Sequence, residues 1–198
     1  MVDTEKIVDY LSKKGVDFCD ARFEKHHWFT IMIINGEIRS VSMDTLLGVS
    51  IRVLVDGSWG YASTTNLSWE SIKETGDRAY RLAKSICGTR NKRLELEATT
   101  VSKHVKAKIK INPIDVDIKE KLEVLMALDK AQRDADKRVV NSNSAYSESI
   151  SLFNLSNSLG ANISWNEIRT RIVAYPIVAE EGKMQSSFFV RDGTKGFE

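Results

Sequence analysis

The chain is poor in cysteine, proline and histidine, with 2, 2 and 3 of its 198 residues respectively. The two thiols, Cys19 and Cys87, lie far apart and form no CxxC pair, which argues against a disulfide scaffold or a thiolate zinc site of the usual spacing. Reduced, structural thiols are expected. With so little proline and only 11 glycines there is little material for a flexible linker, so one compact unit or two closely packed halves is expected. An excess of one charge is also missing. The 29 basic and 27 acidic residues leave +2, no field that would select nucleic acid or an anionic membrane as partner. Met1-Val2-Asp3-Thr4-Glu5 is not a basic leader before an apolar core, and no run approaches the roughly 18 apolar residues of a membrane helix. A cytoplasmic protein is the resulting expectation.

What is present is ordinary globular composition, 42% hydrophobic and 28% charged, with a legible order of elements. Thr4 to Lys14 places Ile7, Val8 and Leu11 on one helical face and stops at Gly15. From Asp20 to Ser42 the period changes to two, with Phe29, Ile31 and Ile33 alternating before Asn35-Gly36, a turn dipeptide that tolerates positive φ at both positions. A second hairpin follows: Val49 to Val55 runs into Asp56-Gly57, and Trp59 and Tyr61 alternate on the return. Ser68 then precedes a helical run carrying Trp69, Ile72, Ala79, Leu82, Ala83 and Ile86, with Gly88 as its stop.

The plan then repeats. A strand is expected from Val105 to Ile111, a helix capped by Asp117 and Glu120 and carrying Ile118, Leu122, Leu125 and Met126, and strands at Ile150 to Leu155, Ile168 to Val178 and Met184 to Val190. Gly36 and Gly57 are spaced nearly as Gly160 and Gly182 are. The fold class expected is α+β, an antiparallel sheet of β-hairpins with amphipathic helices on one face. Residues 1–100 and 101–198 would be two copies of a helix-plus-hairpins unit, or chance agreement of turn spacing.

Candidate chemistry is sparse. His26 and His27 are neighbours on a strand and point to opposite faces, His104 lies in another stretch, and no HExxH or HExxxH occurs, so no metal site is expected from this chain. Gly57-Ser58-Trp59-Gly60 and Gly193-Thr194-Lys195-Gly196 lack the rest of a phosphate loop and read as hairpin turns. Lys106, Lys108 and Lys110 alternate with apolar residues, which suits a solvated or edge-protecting strand face better than a polyanion site. The Ser- and Asn-rich segment Asn141 to Ser158 has no GxSxG elbow and reads as a polar strand face. Asp115 and Asp117 precede a helical run, and capping is their simpler role.

One stretch points further. Gly48-Val49-Ser50-Ile51-Arg52-Val53-Leu54-Val55-Asp56-Gly57-Ser58-Trp59-Gly60-Tyr61-Ala62-Ser63-Thr64 resembles the signature stretch of the TldD/PmbA family, formerly called modulators of DNA gyrase. The Asn35-Gly36-Glu37-Ile38 turn before it and Glu181-Gly182-Lys183-Met184-Gln185-Ser186-Ser187 after it keep the family's order. The resemblance implies the N-terminal domain of a zinc-dependent peptidase, usually a two-subunit assembly working on unfolded or flexible peptides. The family's HExxxH helix normally follows the matched region, so no catalytic or metal residue carries over to this chain, and zinc is implied only for the full-length protein. An excised domain, a natural truncation and a metal-free partner subunit each fit that departure.

Two roles are then open. The chain forms part of a peptide-binding cleft or subunit interface, or it is a stand-alone regulatory module that pairs with a full-length paralogue. For the first, Met184, Gln185 and Phe188 are the expected substrate contacts, because a hairpin edge binds extended peptide and Met184, Phe188 and Phe189 are adaptable apolar side chains. Core packing is the plainer role for those three. A TldD/PmbA-type subunit is the expected oligomeric partner, and neither membrane nor nucleic acid is expected.

Overall fold

The computed structural model describes residues 2–86, 96 and 100–198. Cys87 and the helix stop expected at Gly88 lie outside the described residues. The chain runs α1 (Thr4–Ser12), β1 (Phe18–Ile34), β2 (Glu37–Val55), β3 (Ser58–Thr64), α2 (Trp69–Ile86), β4 (Ser102–Val105), a 3-10 turn (Pro113–Asp115), α3 (Ile118–Ala135), β5 (Val139–Asn157), β6 (Asn162–Glu180), β7 (Lys183–Ser186) and β8 (Phe189–Gly193). The strand order is β3-β2-β1-β5-β6-β4, and β7 and β8 also pair with β6. The two hairpins expected before residue 65 are one meander, because β2 is a single 19-residue strand shared by both.

Two compact units emerge, and neither is continuous in sequence. The first comprises Met1–Lys25, Leu46–Lys106 and Leu152–Asn166, the second His26–Thr45, Ala107–Ser151 and Glu167–Glu198. Strands β1, β2, β5 and β6 each give residues to both.

In the first unit, Asp3 caps α1 by accepting the Lys6 N–H at 3.0 Å, a contact worth about 1 kcal/mol. The helix buries Ile7, Val8 and Leu11 against Cys19, Ala21, Phe23, Val49, Ile51 and Val53. Ser68 caps α2 through the Ser71 N–H at 3.3 Å. That helix buries Ile72, Ala79 and Ala83, while Leu82 and Ile86 stay exposed. Helix α2 lies so close to β3 that a Cβ at Gly60 would overlap the backbone of Ala79 and Ala83. Strand β4 departs from expectation twice: it stops at Val105, and it runs parallel to β6 from Ser102↔Asn162 to Val105↔Trp165. Lys106, Lys108 and Lys110 are exposed but not on a strand. Farther along β6, β8 pairs from Thr170↔Gly193 to Ala174↔Phe189.

In the second unit, Asp117 caps α3 by accepting the Lys119 N–H at 2.8 Å. The stripe this helix buries is Lys121, Leu125, Asp129 and Gln132, three of the four polar, while Ile118 is exposed. It covers Phe29, Ile31 and Ile33 of β1 and Tyr146 of β5. The first half of β2 is left uncovered, with Ile38, Val41 and Met43 exposed. Asn35 and Gly36 have φ of 51° and 79°, as a two-residue hairpin loop with positive φ at both positions demands. Asn35 also reaches β5, its side-chain oxygen accepting the Ser142 N–H at 2.8 Å.

Just before β5, Arg138 bridges Asp136 (2.6 Å) and Glu180 (2.8 Å). Hydrogen bonds from the Arg138 side chain and then from its backbone N–H hold the Asp136 carboxyl down at about 2. A carboxylate lowered in this way stabilises the folded chain above its unfolded value of about 4, and that contribution fades as pH falls toward 2. Carboxyl-carbon NMR is therefore expected to give a midpoint near 2 for Asp136, returning toward about 4 in Arg138→Gln. An unchanged midpoint in the variant would remove Arg138 as the cause.

Candidate functional site

The second unit holds an open cleft of about 560 Å³ lined by α3, β5, β6, β8 and the segment after β8. Its floor is a buried polar network. Lys121, 4% exposed, places its Nζ 2.8 Å from Oε2 and 3.0 Å from Oε1 of Glu148, which is 2% exposed. Tyr146 donates its hydroxyl to the same carboxylate at 2.6 Å, and the ammonium sits 4.7 Å from the centre of the Phe29 ring. Burial first, then the bond to Glu148, pushes the Tyr146 phenol far above its ordinary value, so Tyr146 is a fixed donor rather than a base. Deeper along α3, the Asp129 carboxylate accepts from Ser142 Oγ at 2.8 Å and from Arg133 Nε at 3.0 Å. Gln132 donates to Ser144 Oγ at 2.7 Å. Ser142, Ser144, Tyr146 and Glu148 alternate along β5 and all face α3. The serine-rich segment is thus a polar strand face, but a buried one that bonds to a helix.

The residues expected to touch substrate lie on the β6–β7 hairpin and its continuation. Glu181 and Gly182 turn the chain with φ of 50° and 76°. The register from Glu180↔Lys183 to Ile177↔Ser186 resumes unshifted at Ala174↔Phe189, so one returning arm is interrupted rather than displaced. Pro176 explains the gap. Its carbonyl accepts the Ser187 N–H at 3.1 Å, but with no N–H of its own it leaves the reciprocal rung unmade, and the expected Met184 to Val190 strand divides into β7 and β8. Met184 and Phe188 are each 63% exposed and Phe189 is 48% exposed, which overturns core packing as their role. Alternation places Met184 and Phe188 on one face, where Phe188 meets Tyr175 edge-on at 6.1 Å, and Gln185 on the other. Lys183, Gln185 and Ser187 turn their backbone groups toward β6, so those of Met184 and Ser186 point to the outer edge.

The histidines are not brought together. His26 bonds Ser151 at 2.9 Å and stacks on Trp28, His27 bonds Thr45 at 3.1 Å, and His104 meets Ser164. Cys19 is fully buried, and desolvation pushes its thiol above the ordinary value, as for an inert core residue. Among the described residues no group of three or more His, Cys, Asp or Glu is placed to hold a metal ion, so they offer no donor set for zinc. Gly57 lies in a hairpin loop as expected, whereas Gly193-Thr194-Lys195-Gly196 is no hairpin turn: it follows β8, and Gly196 is buried where a Cβ would overlap the Ile111 carbonyl.

Residues 19–83 match the model of the PmbA/TldA metallopeptidase domain 1, and residues 111–196 match that of the PmbA/TldA metallopeptidase central domain. The chain belongs to the PmbA/TldD family. This PmbA/TldD chain is 29% identical over 199 residues to a metalloprotease from Methanocaldococcus jannaschii, matching 100% of itself and 43% of that relative. Its fold is similar to a candidate modulator of DNA gyrase from Bacteroides thetaiotaomicron, with a TM-score of 0.75 at 18% identity, over 97% of this chain and 44% of that one. TldE from Thermococcus kodakarensis gives 0.75 at 17% identity, over 96% and 42%. At such identities the structural likeness speaks for the α+β fold alone. The chain spans less than half the length of each of these relatives.

Proposed function

We propose that this chain is a non-catalytic part of a TldD-like zinc metallopeptidase that acts on unfolded or flexible peptides, and that it holds peptide by adding it as a strand beside β7. The observation that carries this reading is the outer edge of the arm. Met184 and Ser186 present backbone donors and acceptors outward, and exposed Met184 and Phe188 flank them. Backbone pairing is indifferent to side-chain identity, which suits a substrate defined by lack of structure, and thioether and aromatic contacts adapt to varied neighbours.

Ser186→Pro tests it. An outward-facing edge position loses no ladder bond to proline, so the fold should survive. One lost backbone hydrogen bond is worth about 0.5–1.5 kcal/mol, so affinity for a fluorescent unstructured peptide is expected to fall roughly threefold to tenfold by anisotropy. The peptide should stay intact when zinc is added. An unchanged affinity in Ser186→Pro would reject strand addition here, and zinc-dependent cleavage lost on chelation would reject the non-catalytic part.

A further inference from the structure

The cleft above Lys121 carries an imbalance that peptide pairing at the β7 edge does not use. Two of the carboxylates at the cleft are already engaged. Glu148 is held by Lys121 and Tyr146. The Glu198 side chain accepts the backbone N–H of Lys110 at 3.2 Å and of Ile111 at 3.1 Å. Asp192 and Arg171 also line the cleft; they are register partners, and alternation places their side chains on the face of the strand pair opposite Arg191. Three exposed cations line the same cleft, Arg171, Arg191 and Lys195; Arg191 and Lys195 have no carboxylate partner among the described residues, and Arg191 lies 5.9 Å from the centre of the Phe189 ring.

Between these cations and the floor the walls are apolar. Val124 and Leu125 come from α3, Ile172 from β6, and Phe197 from the final segment. Phe197 is fixed by its N–H donating to the Ile111 carbonyl at 2.9 Å and by an edge contact with Tyr146 at 5.9 Å. Thr170 holds the Gly196 carbonyl at 3.1 Å, so this wall is tied at two points.

We infer that the cleft binds a small carboxylate with an apolar body, such as an N-acylated aliphatic amino acid, its alkyl group against Leu125, Ile172 and Phe197 and its carboxylate between Arg191 and Lys195. A guanidinium takes a carboxylate through two parallel N–H bonds, and a nearby ammonium adds charge without fixing geometry. A cationic ligand would find only Asp192, beside the exposed cations Arg171, Arg191 and Lys195, and a neutral one would leave Arg191 and Lys195 unused. The site stands whether or not the β7 edge takes peptide.

The test is methyl NMR of the 198-residue chain titrated with N-acetyl-L-leucine and, separately, with N-acetyl-L-leucinamide. The acid is expected to shift the Val124, Leu125 and Ile172 methyls saturably, with an affinity at least about tenfold above that of the amide. Arg191→Gln combined with Lys195→Gln, both at exposed positions, should abolish that preference, and Arg169→Gln should retain it. Equal binding of acid and amide, shifts that map away from the cleft, or no saturable binding of either would each overturn the assignment.

Discussion

Replacing Lys121 by methionine is expected to lower the unfolding free energy by about 3–5 kcal/mol in urea denaturation, more than a surface lysine could account for. The reason is the partner left behind. Glu148 is 2% exposed, so without the ammonium its carboxylate keeps only the Tyr146 hydroxyl and reaches no water. Removing one member of a buried pair costs more than removing all of it, because desolvation of the survivor is no longer offset. The triple variant Lys121→Met, Tyr146→Phe, Glu148→Leu should therefore recover most of the loss, although it deletes every polar atom of the triad. By contrast, deleting the exposed pair Lys130–Asp134, an i,i+4 contact with both side chains more than half exposed, should leave stability nearly unchanged. If Lys121→Met cost no more than that, the buried triad would carry no structural weight.

Much of the fold was readable because local chemistry and final structure agree. Three two-residue loops, Asn35-Gly36, Asp56-Gly57 and Glu181-Gly182, have positive φ at both positions, and each sits where turn chemistry places it. Helices α1 and α2 bury residues the 3.6-residue period selects, among them Ile7, Leu11, Ile72 and Ala79.

The misreadings have one common source, positions where a nonlocal partner decides. Lys121, Asp129 and Gln132 look like solvent-side residues of α3, and Ser142, Ser144 and Glu148 like a wet strand, until helix and strand meet and satisfy each other. The matching stripes, polar at every second residue on β5 and, but for Leu125, at every third or fourth on α3, were the available signal. Nothing in either segment alone says that they face. Likewise Met184 and Phe188 have the composition of a core strand, and their exposure follows from lying on the arm that borders β6, a fact of topology rather than of side-chain type.

Gly60→Ala is the second large expected effect, and it bears on what the family-signature stretch is for. Gly60 needs no positive φ; it lies on β3 as register partner to Val53 of β2, with α2 directly above. An added Cβ would overlap the Ala79 carbonyl oxygen and the Ala83 nitrogen, backbone atoms that cannot rotate aside as a side chain would. The helix must lift or tilt, which opens the packing of Ile72, Ala79 and Ala83, each at most 3% exposed. Overpacking of this kind costs about 1–3 kcal/mol, and the upper end is expected where only backbone can yield. For a chain of this length that corresponds to a loss of roughly 6–12 °C in Tm by calorimetry. Gly15→Ala separates this steric effect from glycine's conformational freedom. Gly15 has φ of 72° with nothing within 4 Å of an added Cβ, so its cost should be the left-handed conformation alone, about 1–2 kcal/mol. A Gly60→Ala protein no less stable than Gly15→Ala would mean that α2 does not rest on β3 through that glycine. A clear excess would make close helix–strand approach, rather than anion binding, the physical reason for a glycine in Gly57-Ser58-Trp59-Gly60.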